Sequence, residues 1–448
     1  MDTKIAIIGA GISGLSAGYR LMKAGFKPVI FEKESFVGGR MSSDRVAGFN
    51  IDKGAYTFPE FHQNLRRHIG ELGLEYTLFQ TNGTASTFSK GKEYQIKIGS
   101  VTDFLKYKLI SMMSKKDMIK LFLYAQSLGK ALDIVKPSQK TFELEKESAA
   151  EYLFKNYGEQ ILEKIAYPIF CEIFLGVPEN NSKLAFLVTI KNLTRFKIFA
   201  FEDGMGIVPE RLMKDLDVRL KSPVIKINPK ADEGPYEVKV GGNNPKALVF
   251  DKVIFTIPLP IVPGILEKLP QEFKRYFLEV VYSPSIVMAL AVEGEYKHTS
   301  MINNLLRTDF GIIGTVVFDQ YKSRKRVPQG KDLITAILCE KASRALFHET
   351  EERITAEVLK EMDILFPGFS NKVIFSRIYR WEHGAVQLPP GSVARQHSVR
   401  KAVENGFHNI YFAGDGLYKS SLEVSFNTGI QAANQIIKKY KNPGHHYK

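Results

Sequence analysis

The first 32 residues constrain the fold of this chain more than any other stretch. The apolar run from Lys4 to Ile8 is followed directly by the turn Gly9-Ala10-Gly11-Ile12-Ser13-Gly14. Apolar residues at helical spacing continue from Leu15 to Ala24, and a second apolar run, Pro28 to Phe31, ends at Glu32. This order predicts a strand, a G-x-G-x-x-G turn, a helix and a second, parallel strand.

Such a turn predicts a dinucleotide site. Gly9 permits the tight turn, Gly11 lets a pyrophosphate approach the backbone, and Gly14 lets the helix pack on the strand. The helix N-terminus offers free N–H groups and the positive end of its dipole to phosphates. We therefore expect Gly9, Gly11, Ile12, Ser13 and Gly14 to bind a dinucleotide, with Glu32 and Lys33 beside its ribose. A 2′-phosphate would meet the Glu32 carboxylate, which disfavours NADP.

A second glycine pair, Gly38-Gly39, follows with Arg40 directly after it. Two glycines let the backbone close over a pyrophosphate, and Gly39 and Arg40 are predicted to contact it, with the guanidinium neutralising its charge. The run from "IAIIGAGISGLSAGYRLM" to "FEKESFVGGRMSS" resembles the superfamily of FAD enzymes that contains the amine oxidases and the protoporphyrinogen oxidases. The resemblance extends from Lys4 to about Lys438.

The segment "NIYFAGDGLYKSSLEVSFNTGIQAANQII" near the C-terminus predicts a strand, an acidic turn and a helix. The resemblance implies that Gly414 and Asp415 meet the ribityl chain of FAD. It also implies that Leu422, Glu423 and Val424 turn their N–H groups to the N1–C2=O edge of the flavin, where a helix N-terminus stabilises the reduced anion. Val224, in "SPVIKI", takes the position beside the adenine. No cysteine occurs between residues 410 and 425, so FAD is expected to be bound noncovalently.

A chain of 448 residues exceeds the usual size of one domain. The resemblance implies an α/β Rossmann-like FAD-binding domain, with a parallel sheet, formed by residues 1–80, 200–275 and 376–440. Residues 81–199 and 276–375 would form an α+β substrate-binding domain with a helical lobe. Residues 441–448 are expected to be a disordered tail.

The two cysteines, Cys171 and Cys339, form no C-x-x-C motif and no cluster with histidines, so the sequence predicts no metal site. Buried free thiols in a reducing compartment are the expected state. The first apolar run belongs to the nucleotide motif, and no stretch of about 18 uncharged apolar residues occurs. These features predict a cytoplasmic protein without a membrane-spanning helix.

The net charge of +14 is concentrated between Phe104 and Lys136, where seven lysines stand against two aspartates. Apolar residues, among them Leu109, Met112, Met113, Phe122 and Leu123, alternate with these lysines. The pattern is typical of helices that lie on an anionic membrane, here the inner membrane face, and also of an ordinary surface helix pair. No nucleic-acid motif accompanies the charge, so a nucleic-acid partner is not expected.

The resemblance also implies the chemistry: a hydride passes from a C–H bond of an apolar substrate to flavin N5, and dioxygen or another acceptor takes the electrons. "RWEHGAVQLPPG" resembles the protoporphyrinogen oxidase pattern at Trp381, Gln387 and Gly391 but departs from it at Val386 and Leu388. Trp381 and Gln387 are therefore candidate cavity residues, although Trp381 also suits a core position. Lys191, Arg195 and Arg307 suit either substrate carboxylates or the surface. No side chain is assigned as acid or base.

Two alternatives stay open. One is another flavin enzyme of this superfamily, an amine oxidase or a carotenoid or terpenoid desaturase. Ser421 stands where amine oxidases have an aromatic residue, which counts against a monoamine oxidase. The other is a non-enzymatic binding protein similar to the GDP-dissociation inhibitors, which usually lack the intact phosphate turn found here. The sequence predicts neither the physiological substrate, nor the electron acceptor, nor the oligomeric state.

Overall fold

The computed structural model describes residues 3–441 except 82, 194–196, 232–233, 243–244, 299 and 405–406. The tail predicted to be disordered lies, from residue 442 on, outside the described residues. The strands are β1 (Ile5–Ile8), β2 (Val29–Phe31), β3 (Ser43–Val46), β4 (Phe49–Asp52), β5 (Phe58–Pro59), β6 (Leu78–Gln80), β7 (Thr84–Ser89), β8 (Lys92–Lys97), β9 (Ile198–Phe201), β10 (Asp217–Arg219), β11 (Val224–Pro229), β12 (Tyr236–Val240), β13 (Lys246–Phe250), β14 (Lys252–Phe255), β15 (Tyr282–Glu293), β16 (Ile302–Leu305), β17 (Ile313–Phe318), β18 (Lys331–Leu338), β19 (Val373–Val386) and β20 (Ile410–Phe412).

The helices are α1 (Ile12–Lys23), α2 (Gln63–Glu71), α3 (Val101–Lys106), α4 (Met112–Ser127), α5 (Gln139–Leu144), α6 (Ala149–Tyr157), α7 (Glu159–Ile161), α8 (Tyr167–Phe174), α9 (Lys183–Lys191), α10 (Ile207–Met213), α11 (Val262–Ile265), α12 (Gln271–Glu279), α13 (Glu340–Leu346), α14 (Glu351–Leu365), α15 (Ser392–Glu404) and α16 (Leu422–Lys441).

A five-stranded parallel sheet in the order β10-β2-β1-β14-β20 carries the nucleotide motif. The central strand β1 is buried along its whole length, because apolar side chains cover it on both faces. Helices α1 and α16 pack closely on one face, since a side chain at Gly429 would collide with the backbone of Ser13. This packing brings both of the sequence-predicted helix N-termini to the same part of the molecule.

A second large sheet has seven strands in the order β19-β15-β18-β17-β16-β7-β8. Its pairs are antiparallel except for β16 with β7, which run parallel. Strand β19 carries this sheet to Val386, past residue 376, where the sequence analysis placed the return to the cofactor domain. Strand β15, which is buried almost throughout, pairs with β19 from Val373 to Val386, so β19 continues beyond that boundary. The division into domains otherwise stays a prediction.

Within the predicted domain segment 81–199, the described residues form helices α3 to α9 after the hairpin β7–β8. Serine side chains accept hydrogen bonds from first-turn N–H groups at the N-termini of α3, α4, α5 and α6. These caps satisfy donors that a helix start leaves free. The helices enclose a separate apolar core that includes Leu121, Leu153, Phe170 and Phe186.

Within the described ranges, no helix combines the length and the apolar character that crossing a bilayer requires. The same residues contain no group of three or more His, Cys, Asp or Glu side chains arranged to hold a metal ion. Cys171 and Cys339 are both buried and unbridged, as the sequence predicted.

Candidate functional site

Glycine stands at each of the three positions of the phosphate turn for a different structural reason. Gly9 adopts φ +102°, a conformation that favours glycine. A side chain at Gly14 would collide with the Gly9 carbonyl oxygen. Gly11, in contrast, has an ordinary φ of −66°, and an added Cβ would meet no atom within 4 Å. Folding therefore does not require glycine at position 11, and the open space above it fits a bound pyrophosphate.

Glu32 lies at this turn, as predicted. Its Oε2 accepts a hydrogen bond from the Ala10 N–H at 2.7 Å, and its Oε1 accepts one from the Glu34 N–H at 3.0 Å. The Ser222 N–H donates to the Glu32 carbonyl at 2.7 Å and brings the start of β11, with Val224, close to the end of β2. Lys33 is exposed, and its ammonium lies 3.5 Å from Glu34 at the surface. Its predicted contact with the cofactor through the side chain thus has no support in this conformation.

Arg40 and Asp415 form a partly buried ion pair that joins the two distant motifs. Arg40 Nη1 donates to Asp415 Oδ2 at 2.7 Å and to the Gly384 carbonyl at 2.9 Å. Burial by itself would raise the pKa of Asp415, but the Arg40 charge and the hydrogen bonds from Arg40, Ser420 and Tyr282 together lower that pKa below its usual value. Tyr282 Oη donates to Asp415 Oδ1 at 3.2 Å, and Ser420 Oγ donates to Oδ2 at 2.8 Å. One acceptor position therefore remains at Oδ1 for a ribityl hydroxyl.

Helix α16 begins at Leu422, as predicted. The first helical hydrogen bond runs from the Ser425 N–H to the Ser421 carbonyl at 2.9 Å, so the N–H groups of Leu422 to Val424 precede the helical hydrogen-bond ladder. The Glu423 side chain has another task. Its carboxylate accepts hydrogen bonds from the Asn64 and Leu65 N–H groups at 3.0 and 2.8 Å, and thereby caps α2.

Two residues beside this helix start were not predicted from the sequence. His62 Nε2 lies 3.2 Å from Ser421 Oγ, while its buried Nδ1 has no hydrogen-bond partner among the described residues. Burial lowers the pKa of His62 to about 3, so the ring is neutral. Burial also lowers the pKa of Lys419, which forms no ion pair with another described residue. An unpartnered ring nitrogen and an unpaired ammonium beside a helix N-terminus suit a polar, partly anionic ligand.

Trp381 and Gln387 occupy different environments. Trp381 is half-buried on β19, and its Nε1 donates to the Lys53 carbonyl at 2.8 Å. Gln387 is 2% exposed, and its Nε2 donates to the Phe174 carbonyl at 2.7 Å and to Ser283 Oγ at 3.0 Å. Because both donors of this amide bind protein groups, Gln387 joins α8 to β15. Gln387 also lines a small cavity, and its role as a cavity residue at the substrate site stays a prediction.

A fully buried charge cluster, which the sequence analysis did not find, supports the turn at Gly204 to Gly206. Asp52 Oδ1 accepts from the Met205 N–H at 2.8 Å, and its Oδ2 lies 2.7 Å from Arg326 and 3.1 Å from Lys322. Both cations also contact Asp319. Burial alone would raise the pKa of Asp52, yet Arg326 and Lys322 hold it below its usual value. The cluster joins β4 to the segment that follows β17.

The candidate partners for substrate carboxylates are otherwise engaged. Arg307 donates to Glu163 at 2.8 and 2.6 Å and to Glu179 at 2.6 Å, so its guanidinium is paired with two carboxylates of the protein. Lys191 donates to the Gly129 carbonyl at 2.8 Å. Arg195 lies outside the described residues. The role proposed for Arg307 therefore belongs to the packing of the helical lobe.

The lysine-rich stretch exposes much of its apolar surface. Met112, Met113 and Leu123 on α4 are 60%, 66% and 59% exposed. Leu109, in contrast, is buried, and Lys115 is buried with its ammonium donating to the Leu105 carbonyl at 2.7 Å. Phe122 is half-buried. The stretch thus presents apolar side chains and lysines to solvent together, with Lys115 and Leu109 excluded from that surface.

Comparison with known proteins agrees with this geometry. The sequence profile of the family described as "Flavin containing amine oxidoreductase" matches residues 12–437. The chain is 22% identical to protoporphyrinogen oxidase 2 of Arabidopsis thaliana, over 97% of this chain and 94% of the relative. It is also 22% identical to coproporphyrinogen III oxidase of Bacillus subtilis, over 92% of this chain and 93% of the relative. A structure of putrescine oxidase bound to putrescine superposes with a TM-score of 0.80 at 17% identity, covering 97% of this chain and 99% of that one.

Proposed function

We propose, from the premise that this chain belongs to the family of flavin containing amine oxidoreductases, that it oxidises a porphyrinogen or a closely related apolar tetrapyrrole. Membership makes the chain an FAD-dependent oxidoreductase, and a non-enzymatic binding protein is set aside. The observation that carries the substrate proposal is the likeness to two porphyrinogen oxidases over more than nine-tenths of this chain. Their names supply the substrate class.

The residues present fit FAD. The space above Gly11 and the N–H groups of the α1 N-terminus would hold the pyrophosphate, and Arg40 keeps its Nη2 and Nε donors for the same group. Glu32 would meet the adenosine ribose, with Val224 beside the adenine. Asp415 would accept a hydroxyl of the ribityl chain, and the start of α16 would face the flavin. FAD bound here supplies the hydride acceptor and passes electrons to dioxygen or another oxidant.

Protein groups around the site hold the cofactor-binding residues in position. Asp415 holds Arg40 in place through the ion pair at 2.7 Å. Thr256 Oγ1 donates to the Gly9 carbonyl at 2.9 Å and fixes the phosphate turn against β14. The N-terminus of α16 and the ammonium of Lys419 would stabilise negative charge at one edge of the flavin. Together these groups bind and orient the cofactor before any substrate arrives.

A product assay tests the substrate proposal. Purified protein supplied with protoporphyrinogen or coproporphyrinogen in air should form the fluorescent porphyrin faster than a sample without protein. Heat-denatured protein is the control, because porphyrinogens also oxidise spontaneously. Porphyrin formation at the control rate would contradict the proposal.

An amine oxidase is the second candidate, favoured by the name of the family and by the likeness in fold to putrescine oxidase. Ser421, which lies 3.2 Å from His62, gives the position beside α16 a small hydroxyl in place of an aromatic ring. A panel of mono- and diamines, with hydrogen peroxide as the readout, separates the two. Peroxide from an amine, without turnover of either porphyrinogen, would favour this second candidate. A carotenoid or terpenoid desaturase has no specific support.

Peripheral membrane binding is the final part of the proposal. The exposed side chains of Met112, Met113 and Leu123 lie on the same lobe as exposed Lys106, Lys108 and Lys116. Apolar groups among basic residues suit an anionic bilayer surface, where each lysine contributes on the order of 1 kcal/mol. A substrate dissolved in lipid would then reach the helical lobe directly.

A further inference from the structure

One partly buried carboxyl group is not among the groups assigned to cofactor binding. It belongs to Glu172, which lies half-buried on α8 in the helical lobe. Tyr56 Oη donates to its Oε1 at 3.3 Å. The Asn304 side chain also donates to it, because the Asn304 carbonyl oxygen accepts from Thr315 Oγ1 at 3.2 Å and so orients the amide. In the described part of the chain no lysine, arginine or histidine forms an ion pair with this carboxyl group.

The three residues come from three parts of the fold. Tyr56 belongs to the loop after β4, Glu172 to the helical lobe, and Asn304 to β16 of the large sheet. The loop is attached to the cofactor side, since the Ala55 N–H donates to the Arg40 carbonyl at 2.8 Å. Trp381 Nε1 holds the same loop at the Lys53 carbonyl. The carboxyl group thus lies where the cofactor loop, the lobe and the substrate sheet meet.

Neighbouring groups keep Tyr56 neutral and in place. Lys322 Nζ, part of the buried charge cluster, lies 5.3 Å from the centre of the Tyr56 ring. Burial, and then the nearby Glu172 charge, raise the pKa of Tyr56 well above its usual value, so its hydroxyl remains a donor. Burial raises the pKa of Glu172 to about 7. The other titratable groups here are Cys171 beside Glu172, and Asp319, whose charge reaches Tyr56.

We propose that the Glu172 carboxyl group, held by Tyr56 and Asn304, binds an N–H group of the substrate and so presents the neighbouring C–H bond to the cofactor. The inference rests on the proposed function and deepens it. In the oxidation, the C–H hydrogen would leave with its electron pair to FAD, and the N–H proton would pass to the Glu172 carboxylate. In an amine the two losses form a C=N bond at the carbon that lost hydride. In a porphyrinogen hydride leaves a methylene bridge, and loss of the pyrrole N–H proton leaves a C=C bond from bridge to ring and a C=N bond within the ring.

The test compares Glu172→Gln with Glu159→Gln, an exposed carboxylate on the same lobe. Each holoenzyme is mixed anaerobically with protoporphyrinogen and, separately, with benzylamine, and flavin bleaching is followed from pH 5.5 to 8.5. In wild type the bleaching rate should rise with an apparent pKa near 7. In Glu172→Gln it should fall at least tenfold and lose that pH dependence, while Glu159→Gln should match wild type. Whichever compound bleaches the wild-type flavin identifies the source of the N–H group.

Tyr56→Phe tests the apparent pKa of the bleaching rate, which would not change if Glu172 had only a structural role. The Tyr56 hydroxyl stabilises the ionised carboxylate, so its loss should shift the apparent pKa upward. Protoporphyrin binding, followed by perturbation of the flavin spectrum, should weaken in Glu172→Gln. Full FAD content with unchanged rate and pH profile in that variant would overturn the assignment of Glu172 and leave the proposed function standing. Wild-type protein that neither binds the porphyrin nor is bleached by either compound would overturn both.

Discussion

Gly11 and Gly14 stand three positions apart in one turn, and their surroundings separate ligand binding from folding. Gly14 has no room for a side chain beside the Gly9 carbonyl, whereas Gly11 has open space and an ordinary backbone conformation. The G-x-G-x-x-G pattern predicts this division of roles, but the letters alone do not show its physical reason. The atoms packed around each glycine supply it.

Gly11→Val should give a folded protein without cofactor. The branched side chain fills the space assigned to the pyrophosphate, and the fold around it has nothing to displace. Flavin absorbance of the purified protein should be essentially lost while its circular dichroism matches wild type. Gly14→Val is the matched control, because its Cβ collides with backbone and the variant should fail to fold. Stoichiometric FAD in Gly11→Val would refute the site.

Glu172 makes a separate prediction about stability. Its folded-state pKa is raised from 4.5 to about 7, so its proton is held more tightly in the folded state. That contribution is complete below pH 4.5 and is lost as the pH rises through about 7. Glu172→Gln should therefore have a free energy of unfolding that exceeds the wild-type value at pH 8 by up to about 3 kcal/mol. Its melting temperature should be higher than that of wild type at pH 8 and nearly equal to it at pH 4.5. Equal melting temperatures at pH 8 would contradict a raised pKa of Glu172 in the folded protein.

At the scale of elements, the sequence revealed local signals and missed what depends on distant contacts. Strands β1, β2 and β20 were predicted, since each is an apolar run beside glycines or an acidic residue. Strand β10 was missed because it is short, polar and only partly buried. The charge cluster was missed for another reason. Asp52 and Lys322 are 270 positions apart, and no local pattern indicates that they meet.

The cluster should be strongly stabilising as a unit. Asp52→Asn leaves Arg326 and Lys322 buried with only Asp319 as a counter-charge, and such a loss typically costs about 3–5 kcal/mol. The variant should unfold at a clearly lower temperature by scanning calorimetry. Asp215→Asn, which breaks an exposed pair with Arg211, should stay within about 0.5 kcal/mol of wild type. Equal effects of the two substitutions would contradict the importance assigned to the cluster.

The turn before α16 carries the prediction of noncovalent attachment. Residues 410 to 425 contain no cysteine, and Cys171 and Cys339 are buried elsewhere. Acid precipitation of the holoenzyme should release all flavin to the supernatant. Flavin that stays with the washed pellet would show a covalent link.

At the scale of the whole molecule, the helical lobe carries both the exposed basic and apolar surface and Glu172. Wild-type protein should sediment with anionic phosphatidylglycerol vesicles, and binding should fall as salt screens the lysines. Changing Lys106, Lys108 and Lys116 to glutamate should abolish most of that binding. The control changes Lys226, Lys230 and Lys246, exposed lysines of the β11–β13 sheet, in the same way and should bind like wild type. If the wild-type protein does not bind anionic vesicles at low salt, the membrane proposal is wrong and these helices are ordinary surface helices of the lobe.

The most direct measurement of the central claim is an anaerobic titration of the purified holoenzyme with protoporphyrinogen, followed at the flavin absorbance bands. The central claim is that this FAD enzyme takes hydride from a porphyrinogen held between the helical lobe and the loop after β4. The account predicts bleaching that is complete at about one porphyrinogen per three flavins, because aromatisation of the ring removes six electrons in two-electron steps. Flavin that stays oxidised with excess protoporphyrinogen would contradict the account.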